Sequence, residues 1–157
     1  MDQKIPTYEQ IVANIDALVH AQTDPVAIMS TVVCELHHGI SYFHWTGFYR
    51  VTGPECLHVG PYQGGHGCLY IPFSKGICGE AARKKSTIII GNVNLHSNHI
   101  ACSSSTLSEI VVPLIDQQNN LLAVLDVDSD LADAFDETDK HYLEQICSTI
   151  SQQLSHK

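Results

Sequence analysis

Three cysteines and three acids carry the chemistry this chain could perform. Cys68 follows the run Gly60-Pro61-Tyr62-Gln63-Gly64-Gly65-His66-Gly67, Cys78 stands in Gly76-Ile77-Cys78-Gly79, and Cys102 ends His99-Ile100-Ala101-Cys102. None of the three falls on an evident apolar stripe. A thiolate in an accessible polar loop is a nucleophile or a metal ligand. Several such thiols allow one to attack and another to resolve the product as a disulfide. From spacing alone, three ordinary buried thiols would look the same.

The acids lie in the last third of the chain. Ser108-Glu109-Ile110-Val111-Val112-Pro113-Leu114-Ile115 and the run from Leu121 to Asp128 are separated by Gln117-Gln118-Asn119-Asn120. Two β-rich runs joined by a short polar loop predict a hairpin. Placing Asp116 opposite Leu121 sets Glu109 against Asp128 and Val111 against Asp126. Side chains alternate with period two, so Glu109, Asp126 and Asp128 share one face, and a slip of one residue would part them. Like charges facing each other across strands destabilise the pair unless a cation or a shared proton compensates. A solvated outer face of an antiparallel sheet is the alternative.

Ten histidines raise the question of a metal, and His96-x-x-His99-x-x-Cys102 spaces three donors closely. There is no Cys-x-x-Cys pair, and such loop spacings arise easily by chance, so the expectation is no resident metal. The His37-His38 pair is expected to cap a helix or meet solvent. No phosphate loop, dinucleotide fingerprint or serine-hydrolase elbow occurs.

The elements that must position these groups follow from periodicity. Tyr8, Ile11, Val12, Ile15, Leu18 and Val19 mark a first amphipathic helix. Thr23-Asp24-Pro25 starts a second, with Val26, Met29, Val33 and Leu36 inward, Cys34 in the core and a stop at Gly39. Strands are predicted at Trp45 to Val51, Cys56 to Val59, Cys68 to Pro72 and Thr87 to Ile90, the last one buried. The glycine-rich run before Cys68 reads as loop. A short helix over Lys75 to Lys85 would put Cys78 near its N-terminus, where thiol pKa values tend to fall. Gly91 to Ser108 is a long connection, of the kind that is usually functional. After the hairpin, acids from Asp136 open a final helix carrying Leu143, Ile146, Cys147, Ile150 and Leu154 inward.

The whole is an α+β domain around an antiparallel sheet of about six strands, spanning residues 1–157. Hydrophobic residues make up 44% of the chain, enough for a core without disulfide staples. A net charge of −9 with eight Lys plus Arg argues against nucleic acid or an anionic membrane as partner. The opening Met-Asp-Gln-Lys-Ile-Pro lacks a signal peptide's regions, so a cytoplasmic or nucleocytoplasmic location is expected, with mostly reduced thiols.

Several stretches together are more specific. Trp45-Thr46-Gly47-Phe48-Tyr49, Gly60-Pro61-Tyr62-Gln63-Gly64, Cys68-x-x-Ile71-Pro72-Phe73, Gly76-Ile77-Cys78-Gly79, His99-Ile100-Ala101-Cys102, Ser108 to Pro113 and Val124 to Ser129 stand in that order. In this the chain resembles the free methionine-(R)-sulfoxide reductases. The resemblance runs from about Tyr42 to Ser129 and implies a GAF domain with N- and C-terminal helices packed on one face of the sheet. It implies Cys102 as nucleophile, Cys68 as main resolving cysteine and Cys78 as a further partner in disulfide exchange. Glu109, Asp126, Asp128, Trp45 and Tyr49 would line the substrate pocket. It also implies no bound cofactor, thioredoxin as external reductant, free methionine-(R)-sulfoxide as substrate and a homodimer. Ser103, Ala123 and Arg50 depart from the family pattern without removing a catalytic group, though Ser103 leaves the local charge around Cys102 different from that of its relatives. A non-catalytic GAF module sensing redox state or a small molecule is the competing reading; it would normally be joined to an output domain.

Overall fold

The computed structural model describes residues 3–100 and 102–155, so Ala101 of the His99–Cys102 motif lies outside it. Two helices lead, α1 (Lys4–Val19) and α2 (Pro25–Gly39), followed by strands β1 (Trp45–Gly53), β2 (Cys56–Gln63) and β3 (Tyr70–Pro72). Helix α3 (Gly76–Lys84), β4 (Ile88–Ile90), β5 (Ser108–Ile115), β6 (Leu121–Ser129) and α4 (Glu137–Leu154) complete the order. The strands form one antiparallel sheet in the order β3-β2-β1-β6-β5-β4. The fold is α+β, as the sequence implied. Among the described residues no helix is long and apolar enough to cross a membrane.

Alternation divides the three central strands into two chemistries. Phe48 of β1, Ile110, Val112 and Leu114 of β5, and Ala123, Leu125 and Val127 of β6 turn to one face. There they pack with Ile11 and Ile15 of α1, Ile28, Val32 and Leu36 of α2, and Leu143, Ile146 and Ile150 of α4. The opposite face carries Trp45, Tyr49, Val111 and Val124 and is covered by α3 through Ile77, Cys78, Ala81 and Ala82. Asp24 caps α2 by accepting from the Ala27 backbone N–H, with Pro25 in its first turn.

The hairpin register is the predicted one over most of its length, with Glu109 opposite Asp128 and Val111 opposite Asp126. An irregularity between Leu114 and Ile115 makes Leu121 pair with Ile115 instead of Asp116. Asp116 organises the turn, its side chain accepting from the backbones of Gln118 and Asn120.

Several local expectations are corrected. Val26 is 60% exposed and Leu18 56% exposed, because the inward faces run through Ile28, Val32 and Leu36 on α2 and Ile11, Ile15 and Val19 on α1. Cys34 sits off the inward stripe and is exposed. β2 continues into the glycine-rich run as far as Gln63, since Tyr62 and Gln63 pair with Gly47 and Thr46. β3 begins at Tyr70, which leaves Cys68 in the loop before it. β4 is only half-buried, being the edge of the sheet.

A buried carboxylate ties the first and last helices together. Asp139, fully buried in α4, accepts from the hydroxyls of Tyr8 (2.8 Å) and Tyr42 (2.6 Å), from Lys4 Nζ (2.6 Å) and from the Asp136 backbone N–H (2.9 Å). The last contact, with Asp136 accepting in return, completes a capping box. Asp139→Ala strands these donors and is expected to cost about 3 kcal/mol in urea unfolding, whereas exposed Glu137→Ala should cost under about 0.5 kcal/mol.

Candidate active site

The strand order puts the site's residues in rows. Trp45 pairs with Asp128, and Asp128 with Glu109. In the next row Gly47 pairs with Asp126, and Asp126 with Val111. All three acids therefore lie on the face away from α1, α2 and α4. Glu109 and Asp126 are each 6% exposed and Asp128 is half-buried, so this is no solvated outer face.

An aromatic wall borders the acids. Trp45 stacks on Tyr49 (centroids 5.7 Å apart) and on Tyr62 (5.3 Å), and its indole N–H donates to Gly65 O at 3.0 Å. Gly47 makes this possible. A Cβ there would lie 2.5 Å from the Trp45 ring and 2.5 Å from Tyr62 Cβ, so any other residue would push the indole off the strand.

α3 lies against the same face at close range. A Cβ on Gly79 would stand 2.6 Å from Phe73 O, so only glycine lets the helix approach the end of β3. The close approach buries Cys78 beside Asp126, its sulfur within 4.8 Å of that carboxylate. The expectation of a lowered Cys78 pKa is thereby overturned. Burial pushes the thiol well above its usual range, and the charges of Asp126, Glu109 and Asp128 push it further. The helix N-terminus does not outweigh desolvation beside three acids.

The roof is the long connection after β4. It is pinned by backbone pairs from Val93 N to Leu107 O and from Leu107 N to Ser129 O. Asn98 Nδ2 donates to Gly76 O, and His96 Nε2 lies 3.4 Å from Glu80 Oε2. His99 Nδ1 sits 3.8 Å from Glu109 Oε2. Cys102, at the exposed end of this segment, is joined to Cys68 in a disulfide with Cα atoms 5.6 Å apart. Cys102, Cys78, Glu109, Asp126, Asp128, Trp45 and Tyr49 all line one cleft, while Cys68 is held to it through the disulfide. His96, His99 and Cys102 do not assemble as a metal site, since His96 turns to Glu80 and Cys102 is oxidised. Sequence reasoning weighed His99 only as a metal donor and assigned no role to His66, Ile100 or Thr106, and all four line the cleft. The His99-Ile100-Ala101-Cys102 motif held the signal for His99 and Ile100; nothing marked the other two.

No lysine or arginine is among the lining residues. Burial raises Glu109 well above the ordinary carboxylate range, helped by the charges of Asp126 and Asp128. Burial likewise raises Asp128, helped by Asp126 and Asp130. Burial also pushes Asp126 up, to about 6, with the neighbouring Glu109 and Cys78 holding it lower than the other two. One Asp126 oxygen, Oδ1, is buried without a partner among the described residues. Burial and like charge thus favour the protonated forms of Glu109 and Asp128.

Cysteines at the mouth of an acid-floored cleft, over a six-stranded antiparallel sheet, define a GAF domain equipped for thiol chemistry, and the GAF-domain family model matches residues 22–155. GAF domain-containing protein A of Dictyostelium discoideum is 40% identical over 143 residues, covering 91% of this chain and 89% of its own. Free methionine-R-sulfoxide reductase of Saccharomyces cerevisiae is 36% identical over 149 residues, covering 91% of this chain and 83% of its own. The X-ray structure of free methionine-R-sulfoxide reductase from Neisseria meningitidis, in complex with its substrate, matches with a TM-score of 0.92 at 37% identity, covering 98% of this chain and 92% of that one. The chain belongs to the free methionine-(R)-sulfoxide reductase family of GAF-domain oxidoreductases.

The raised carboxyl pKa values set a direction for pH. Glu109 and Asp128 keep their protons in the folded protein where the unfolded chain has lost them, so stability falls as pH rises above about 4.5. The ligand-free protein should lose up to about 1.4 kcal/mol per pH unit for each carboxyl that stays protonated. Glu109→Gln and Asp128→Asn should each flatten this decline in urea titrations from pH 4.5 to 7. A slope that neither substitution changes would show these acids to be ionised in the fold.

Proposed function

We propose that this protein reduces the R epimer of free methionine sulfoxide to methionine, with Cys102 as nucleophile. The observation that carries this reading is the Cys68–Cys102 disulfide at the mouth of a buried, cation-free cluster of acids. A free amino acid brings an ammonium group, which supplies the countercharge the cluster lacks. A methionine sulfoxide within a peptide chain has no such group.

The residues divide the work as follows. Asp126 and Asp128 receive the ammonium; Asp126, whose pKa is raised least and whose Oδ1 has no partner, suits a bound cation best. Glu109 keeps its proton, donates it toward Asp126 in the resting site and gives it to the sulfoxide oxygen during reaction. The Trp45 face packs against the S-methyl group and excludes water. Cys102 thiolate attacks the sulfoxide sulfur. As the S–O bond breaks, the oxygen passes with a proton to Cys102, leaving methionine and a cysteine sulfenic acid. Cys68 thiol then attacks that sulfur, water departs and the disulfide forms. A thioredoxin-like dithiol protein reopens it, becoming a disulfide itself. Cys78, buried and disfavoured as a thiolate, is slower to exchange and serves when Cys68 is absent.

Single-turnover and steady-state assays on both epimers, free and peptide-bound, test the scheme. Activity is expected on the free R epimer alone. Cys102→Ser should abolish turnover, and full activity in that variant would remove the mechanism. Cys68→Ser should still reduce about one equivalent per chain, yet lose most thioredoxin-driven turnover. Glu109→Gln should lower kcat about 10²–10⁴-fold, the contribution typical of general acid catalysis. Reduction of peptide-bound sulfoxide at the same rate as the free amino acid would refute the ammonium's role.

A further inference from the structure

The acid cluster has a second ligand chemistry. Cys78, Glu109 and Asp126 each offer a donor atom, and these atoms lie within 4.8 Å of one another, all three residues being buried. Zinc bonds of about 2.0–2.3 Å place tetrahedral donors roughly 3.3–3.8 Å apart, so a modest contraction suffices. The unpartnered Oδ1 of Asp126 is an acceptor already stripped of water. One thiolate and two carboxylates make a mixed soft and hard set, which suits Zn²⁺ better than Mg²⁺ or Ca²⁺. His99, with Nδ1 3.8 Å from Glu109 Oε2, stands next to the set as a neighbouring nitrogen donor.

We propose that Cys78, Glu109 and Asp126 form an inhibitory site for a thiophilic divalent cation such as Zn²⁺, whose occupation closes the pocket to an ammonium-bearing substrate. The metal ion displaces the Cys78 thiol proton and the Glu109 carboxyl proton to solvent and gains three anionic ligands. It takes the place that the ammonium would fill, so metal and amino acid exclude each other. The donor set owes nothing to Cys68 or Cys102, and the site exists while those two are joined as a disulfide. The metal site itself needs only the donor geometry, while its exclusion of substrate rests on the proposed placement of the ammonium.

The experiment uses the disulfide form, in which Cys68 and Cys102 cannot bind metal and no turnover occurs. A Cys34→Ser background removes the exposed thiol that lies 3.8 Å from His38 Nδ1 and could bind zinc at the surface. Calorimetric titration with Zn²⁺ is expected to show one ion per chain, and Co²⁺ should give a thiolate-to-metal charge-transfer band. Cys78→Ser should abolish the band and weaken Zn²⁺ more than about 100-fold, beyond the 10–100-fold that losing an outer-shell partner costs. The isosteric Glu109→Gln provides the same test should Cys78→Ser fail to fold. Absence of binding, or binding that both substitutions leave intact, overturns the site. Free methionine sulfoxide should displace the metal. Thiol-dependent binding that methionine sulfoxide does not disturb would uphold the metal site while refuting the ammonium's placement.

Discussion

Mutual repulsion among Glu109, Asp126 and Asp128, forced onto one buried face by strand alternation, is the constraint the rest of the molecule answers to. Strand β6 cannot present Leu125 and Val127 to one layer without presenting Asp126 and Asp128 to the other. The apolar side therefore does double duty. It forms the core with α1, α2 and α4, and it holds the strands in the only register that crowds the acids together. Burial and mutual repulsion favour the protonated forms of Glu109 and Asp128, which relieves the crowding.

The remaining parts of the site make sense as responses to that crowding. Gly47 admits an indole beside Asp126, Gly79 lets α3 bring a thiol to the same carboxylate, and the connection after β4 lowers His99 to Glu109. Each neighbour is aromatic, neutral or a donor, and none is a lysine or arginine. A fixed cation would have settled the charge permanently and left nothing for a ligand to supply. Under the proposed function, leaving it unsettled turns a destabilising feature of the fold into a place for a cationic group.

How much of this was legible depended on whether the signal was local. The hairpin register follows from period-two alternation on both sides of a four-residue polar break, and the structure keeps it from Glu109 to Leu114. The shift at Ile115 was invisible because it arises from how Asp116 folds the turn around itself. Cys78 was misjudged because helix position was weighed without the sheet beneath it. Burial against Asp126 comes from residues some fifty positions away, and no local pattern announces it. Cys34 and Val26 were placed inward on helical spacing together with Met29, Val33 and Leu36, but α2 turns only the last three to the core, with Ile28 and Val32 beside them. The Cys68–Cys102 pairing, at a sequence separation of 34, came from family resemblance and could not have come from spacing.

The Asp139 knot among Tyr8, Tyr42 and Lys4 belongs to the helical layer, on the far side of the sheet from Cys68, Cys78 and Cys102. Rigidity and reactivity are thus stored in separate compartments of one small domain. The helical half behaves as a permanent chassis. The thiol half packs around its own apolar cluster and is joined at the cleft by the Cys68–Cys102 bond and loop contacts such as Asn98 to Gly76, so a change there need not disturb the Asp139 knot.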